Sequence, residues 1–241
     1  MTYIDFWKSR LVRLIFNPLN YCLGISIAFS FALIFLRMEW SGSTRFLFLV
    51  WNLFLAGIPL VASTTLKFFH ETNRMRWYLI LPTGMLWLLF LPNAPYILTD
   101  LFHLRASSSI PIWFDLLLIL SFAWNGLIFG LKSVMDVQQI ISARGNPFAG
   151  WLTAILALIA SSFGIYLGRF LRWNSWDILS RPGDLLRDIL APFLDPFTHI
   201  TPVAVTATFS FFLILVYVTI IQLLRHSPNE VSDRQNACVH L

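Results

Sequence analysis

The sequence predicts an all-α, polytopic transmembrane helix bundle of about six spans, the third broken or re-entrant at Pro92/Pro95, with a short interfacial helix before the last. Three observations carry that prediction. Hydrophobic residues make up 57% of the chain and charged residues 12%, too few charges to coat a soluble globule of 241 residues. The apolar residues gather in runs close to the roughly 20 that a bilayer requires. Two prolines then close one of these runs, within Leu91-Pro-Asn-Ala-Pro-Tyr-Ile-Leu-Thr-Asp100.

Residues 1–18 read as a cytoplasmic amphipathic N-terminus, because Asp5 to Asn17 mixes charged and apolar residues and no small-x-small pattern marks a cleaved leader. A single transmembrane helical domain, residues 19–224, follows. Its spans are expected at Leu19 to Leu36, Phe46 to Leu66, Trp77 to Leu91, Ile112 to Leu131, Gly150 to Leu171 and Pro202 to Leu224. The third is short. Pro92 and Pro95 each lack a backbone N–H and push the preceding residue out of the α region, so a regular helix should stop near Leu91. Carbonyls released there need partners, and irregular backbone at membrane depth survives only inside protein or beside a wet cavity.

In the fifth span Ala160, Gly164 and Gly168 recur every four residues, a stripe on which another helix can pack closely. Pro182 then opens a short amphipathic helix with Leu185, Leu186, Ile189 and Leu190 on one side and Arg187 and Asp188 facing away. Pro192 and Pro196 should end it, and its length suits the interface rather than another crossing. Residues 225–241 form a polar cytoplasmic tail, expected to be loosely ordered.

With six spans both termini share a side. Ten of the 17 basic residues fall there: Lys8, Arg10, Arg13, Lys67, Arg74, Arg76, Lys132, Arg144, Arg225 and Arg234. The remainder are Arg37, Arg45, Arg105, Arg169, Arg172, Arg181 and Arg187, and the last four sit among Asp177, Asp184, Asp188 and Asp195, which can pair with them. The positive-inside rule therefore places both termini in the cytoplasm, with the protein in the cell membrane. The expected partners are the lipid bilayer and an anionic small molecule or lipid headgroup. Nucleic acid is not expected, and phosphate-loop and dinucleotide glycine patterns are absent. No cofactor is indicated. Cys22 lies in the first span and Cys238 in the tail, so no disulfide joins them and cysteine carries no redox signal.

The polar residues gather at one face in this topology. The proline segment supplies Asn93, Tyr96, Thr99 and Asp100; the start of the fourth span supplies Asp115; and Gly168-Arg-Phe-Leu-Arg-Trp-Asn-Ser-Trp-Asp177 supplies Arg169, Arg172, Asn174 and Asp177. Asp115 either answers the helix dipole or pairs with Arg169 or Arg172. If the fifth helix continues, Arg169 and Trp173 lie four apart, as do Arg172 and Trp176, and can stack as cation–π pairs; an interfacial belt explains the same residues. Asp100 and His103 stand three apart on a helix face, but two ligands are too few for a metal, so none is expected. Asn52 and Asn125 sit within the second and fourth spans, where each amide needs an interhelical hydrogen bond.

With these residues in view, the chain resembles a prokaryotic family of multi-pass membrane proteins, domain of unknown function 1361. The resemblance rests on Leu-Pro-Asn-Ala-Pro-Tyr-x-x-Thr-Asp at Leu91 to Asp100, and on the stretches around Trp51-Asn52, Trp113 to Asp115 and Gly168 to Asp177. It implies the membrane class and no activity. Three functions fit the residues. The leading one is a transporter-like or small-ligand-binding membrane protein with a polar Asp/Arg/Asn pocket at the outer face. A membrane-embedded enzyme acting on a lipid or lipid-linked substrate, and a non-catalytic assembly subunit, are the alternatives.

Overall fold

The computed structural model describes residues 18–72, 76–104, 110–195 and 200–239, with side chains for all of these but 18–19, 193 and 226–239. The expected N-terminal amphipathic segment, Arg74, Arg105 and Pro196 lie outside the described residues. The helices are α1 (Pro18–Ser41), α2 (Phe48–Glu71), α3 (Trp77–Phe90), α4 (Asn93–Tyr96), a 3-10 helix (Ile97–His103), α5 (Ile112–Ser142), α6 (Pro147–Arg169), α7 (Asp177–Ser180), α8 (Pro182–Leu194) and α9 (Ile200–Val239). No strand occurs among the described residues. Six stretches are long and apolar enough to cross a membrane: Asn20–Ser41, Phe48–Glu71, Trp77–His103, Ile112–Ser142, Pro147–Arg169 and Ile200–Arg225. Their outer faces carry Phe35, Phe54, Val61 and Phe211, each more than 60% exposed, a surface that only hydrocarbon covers without penalty. The chain is a multi-pass membrane protein with a helical bundle fold.

Two compact units divide the chain, Met1–Ser133 and Val134–Leu241, the boundary falling within α5. In the first, the core gathers Leu33, Phe46, Leu49, Leu53, Ala94, Ile97, Leu118 and Phe122. The proline break is repaired locally. Helix α3 stops at Phe90, Leu91 and Pro92 make a turn, and helical geometry resumes at Asn93. Pro95 cannot donate to the Leu91 carbonyl, so the Ala94 N–H takes it at 3.1 Å. That leaves the Phe90 carbonyl, which accepts instead from the Asn93 side-chain amide at 3.0 Å. The Thr99 hydroxyl donates to the Tyr96 carbonyl at 2.6 Å in the tighter 3-10 stretch that follows. The asparagine between the prolines thus replaces a missing backbone donor.

This segment needs a close seat, and two glycines of α5 provide it. A Cβ on Gly126 would lie 2.8 Å from the Ala94 carbonyl oxygen, and one on Gly130 would lie 2.8 Å from the Ala94 Cβ. Helix α5 also runs past the expected Leu131 to Ser142, because Val134, Val137 and Ile140 keep an apolar face that is buried in the second unit. In that unit Gly145 at φ +91 ends the turn, the Asn146 side chain accepts from the Ala149 N–H at 3.0 Å, and Pro147 occupies the first turn of α6.

Three expectations change here. The packed face of α6 is Ala154, Ala157, Leu158, Ser161 and Ile165, while Ala160 is exposed. Small residues line both sides of this helix, so their spacing alone does not choose the face. Helix α8 continues two residues beyond Pro192, since a proline in the last turn forfeits only one intrahelical bond. Helix α9 runs through the polar tail, Pro228 included, to Val239 rather than loosening after Arg225.

Gly126→Ala drives a methyl group against backbone that side-chain rotation cannot clear, and should cost about 1–3 kcal/mol. Gly24, with open space around it, serves as the control. Thermal unfolding in detergent should show a clear loss for Gly126→Ala and none for Gly24→Ala; equal midpoints would refute the close seat.

Candidate functional site

In the first unit one buried ion pair joins α1 to α5. Arg37, in the last turns of α1, donates through Nε to Asp115 Oδ1 at 3.0 Å and through Nη2 to Oδ2 at 3.5 Å. Both side chains are buried, 5% and 2% exposed. The guanidinium also donates through Nη1 to Ser41 Oγ at 3.1 Å and lies 4.5 Å from the Phe46 ring centroid. Asp115 stands in the first turn of α5, where an acid complements the helix dipole. Two buried charges persist because they are paired in fork geometry and hydrogen-bonded beyond the pair.

Asp100 lies in the 3-10 helix and is 1% exposed. Its Oδ2 accepts from the Asn52 side-chain amide of α2 at 2.8 Å, so the second span is joined to the proline segment by an interhelical hydrogen bond. Asn125 behaves similarly: its amide donates to Ser30 Oγ at 3.0 Å and to the Ser26 carbonyl at 3.3 Å, tying α5 to α1. Both asparagines therefore make the interhelical hydrogen bond expected of them through their amide nitrogens, while Asn125 Oδ1 is buried without a partner among the described residues. Near the end of the 3-10 helix, Arg45 donates to the His103 carbonyl at 3.0 Å, and the His103 ring lies 5.2 Å from that of Phe48. Asn93 and Tyr96 are half-buried, and Thr99 is buried.

In the second unit α6 ends at Arg169, earlier than the expected Leu171. Arg172 adopts a left-handed backbone, φ 61, and the Trp173 N–H turns back to the Leu167 carbonyl at 3.1 Å. This reversal breaks the helical register, so the expected Arg169–Trp173 and Arg172–Trp176 stacks do not form on a helix face. Trp173 instead receives Arg181, whose guanidinium lies 4.6 Å from the ring centroid, and donates its indole N–H to Asp188 Oδ2 at 2.8 Å. A left-handed arginine where glycine is usual costs about 1–2 kcal/mol. Arg169 is half-buried, Arg172 and Asn174 are exposed, and Asp177 is buried.

Asp177 organises the reversal. Its Oδ2 accepts from the Asn174 backbone N–H at 2.8 Å and from the Asn174 amide at 3.3 Å, while Oδ1 accepts from Ser180 at 3.2 Å. The first of these is the arrangement of a capping box, a carboxylate reaching back to the N–H three residues earlier. The Asn174 backbone N–H holds the Asp177 carboxyl below its ordinary 3.8, outweighing the opposing effect of burial; the Asn174 and Ser180 side chains and the Arg181 charge add to it.

The nine residues singled out in the sequence divide between the units: Asn93, Tyr96, Thr99, Asp100 and Asp115 in the first, Arg169, Arg172, Asn174 and Asp177 in the second. Asp115 takes its cation from Arg37, not from Arg169 or Arg172. Sequence reasoning passed over Arg37 by counting it as a flanking charge. It also passed over Asp136, 3% exposed, and over Tyr217, 1% exposed, whose hydroxyl hydrogen-bonds Gln138 Oε1. The signal available for Asp136 and Gln138 was the apolar spacing of Val134, Val137 and Ile140, which carries the helix past the end of the hydrophobic run.

A family model described as "Protein of unknown function (DUF1361)" matches residues 51–221, a range that takes in the proline signature, Asp115 and the Gly168–Asp177 stretch. No curated protein and no solved structure matches the chain.

A depressed carboxyl stabilises its fold above its unfolded value and loses that contribution as pH falls through the folded one. Hydrogen exchange of the Asn174–Arg181 peptide, corrected for intrinsic rate, should therefore be unchanged from pH 7 to about 4 and lose protection below. Asp177→Asn should abolish the step. A transition above pH 5, or one that persists in the variant, would contradict the assignment.

Proposed function

The chain belongs to the family of DUF1361 proteins of unknown function, and we propose that it is a transporter-like, small-ligand-binding membrane protein. Its ligand is met by Asp100 and the neighbouring Asn93, Tyr96 and Thr99. Asp100 carries the reading. It is an almost fully buried acid on the helical segment that follows a proline break, hydrogen-bonded by a neutral amide from another helix. Ionisable residues kept within a membrane bundle beside interrupted helices are the materials of solute and ion pathways. In the second unit Arg169 and Arg172 are the groups suited to an anionic moiety, since a guanidinium binds carboxylate or phosphate in two-pronged fashion. The left-handed backbone at Arg172 is strain of the kind that collects in functional segments.

A second reading, a non-catalytic assembly subunit, is favoured by the Arg37–Asp115 and Asn52–Asp100 contacts, which tie helices together with the same acids. One substitution separates the two. Asp100→Asn keeps an acceptor oxygen for the Asn52 amide while removing the charge. Mass spectrometry of the small molecules carried by purified protein should find a species in the wild type that the variant lacks, with stability changed by roughly 1 kcal/mol or less. The same bound species in both proteins would defeat the ligand reading.

A further inference from the structure

We infer that the second unit holds a lipid-binding pocket whose ligand is the ester region of a membrane glycerolipid. A cavity of about 440 Å³ lies among Ile159 and Phe163 of α6, Pro192 of α8, and Pro202, Val203, Thr206 and Ser210 of α9. The size is within the roughly 300–1,000 Å³ of small-molecule sites. Its wall is apolar apart from two hydroxyls four residues apart on α9, which therefore share one face of that helix.

Those hydroxyls differ from most others in the bundle; Ser161 Oγ also lacks a partner among the described residues but does not line this cavity. A serine or threonine in a membrane helix usually satisfies itself by donating to the carbonyl four residues earlier. Ser30, Thr64, Thr65, Thr83, Thr153, Ser162 and Thr219 all do so, at 2.7–3.1 Å. Thr206 Oγ1 and Ser210 Oγ are buried and have no hydrogen-bond partner among the described residues. Ser210 is only 7% exposed. A buried hydroxyl without a partner is unfavourable in an apolar wall, so the pocket calls for a ligand with an acceptor on a hydrocarbon body.

The surroundings select the ligand class. Pro192 comes from α8, an amphipathic helix that leaves Leu186, Leu190 and Leu194 exposed by 56%, 44% and 81%. A helix of that pattern lies at the boundary between headgroups and acyl chains, and Pro202 opens the final span close to it in the chain. Ester carbonyls occupy that depth, and they are acceptors without donors, the complement of two hydroxyls. A transmembrane helix of another chain is the competing occupant, and the test below separates it from a lipid. This pocket lies apart in the sequence from Asp100 and does not rest on the ligand proposed there.

The test uses the full chain, purified free of lipid and examined by native mass spectrometry. Two probes are compared, dioleoyl phosphatidylglycerol and its diether counterpart, which share headgroup and chain length but differ in the ester carbonyls. The wild type should retain the diester roughly fivefold better, as expected for two membrane hydrogen bonds. Thr206→Val combined with Ser210→Ala should bring that ratio to about one. Ala207→Phe, on the pocket wall, should weaken both lipids. Equal retention of both probes by the wild type would overturn the proposal, and that comparison needs no variant. So would a preference that survives the double substitution, or a dimer that excludes lipid and dissociates when the hydroxyls are removed.

Discussion

One buried charge pair organises the first unit, because each of its two charges, taken out of water, needs its opposite in fixed geometry. Moving an ion from water into a dry interior costs about 20 kcal/mol by the idealised estimate, and several after the protein relaxes. Arg37 and Asp115 meet that demand with a two-pronged contact, and Phe46, itself 1% exposed, lies across the guanidinium. The pair joins residues 78 apart in the chain. It thus fixes where α1 ends, how the Ser41–Phe46 stretch folds over, and where α5 starts.

The same requirement governs uncharged groups. Pro92 and Pro95 remove two donors from a largely buried stretch of helix, and the Asn93 amide, the Ala94 N–H and the Thr99 hydroxyl answer the carbonyls along it. Because these replacements are local, the broken segment stays narrow enough for Gly126 and Gly130 to approach Ala94. Asp100 then emerges on a 3-10 helix beneath the Asn52 amide. In the second unit the sharp exit from α6 at Arg172 is stabilised in the same manner, by the Asp177 carboxylate collecting the Asn174 and Ser180 donors. Among the described residues Asn125 Oδ1, Ser161 Oγ, Thr206 Oγ1 and Ser210 Oγ depart from this pattern as buried atoms without a partner, and of these Thr206 and Ser210 line a cavity.

Much of the fold was legible because hydropathy and punctuation act locally. The starts of α3 and α5, at Trp77 and Ile112, fall where apolar runs begin after polar or proline-containing stretches. The end of α3 at Phe90, just before Pro92, and the amphipathic α8 were readable for the same reason. Partner choice was not legible. Nothing in the spacing of arginines distinguishes Arg37 from Arg169 or Arg172 as the companion of Asp115, since the decision is made by packing between distant segments. The Arg–Trp pairs failed on a smaller matter: a four-residue spacing means contact only while the helix continues, and a single left-handed residue cancels it. The seat for Ala94 lay hidden because a glycine at i and another at i+4 read alike whether they face lipid or backbone.

A double-mutant cycle on Arg37 and Asp115, measured by reversible unfolding in mixed micelles, tests the account most directly. Arg37→Met and Asp115→Leu each strand one buried charge and should each cost about 3–5 kcal/mol, while the double substitution, which strands neither, should cost no more than either alone. Losses that simply add would show that the two charges do not depend on each other, and the central claim would be wrong.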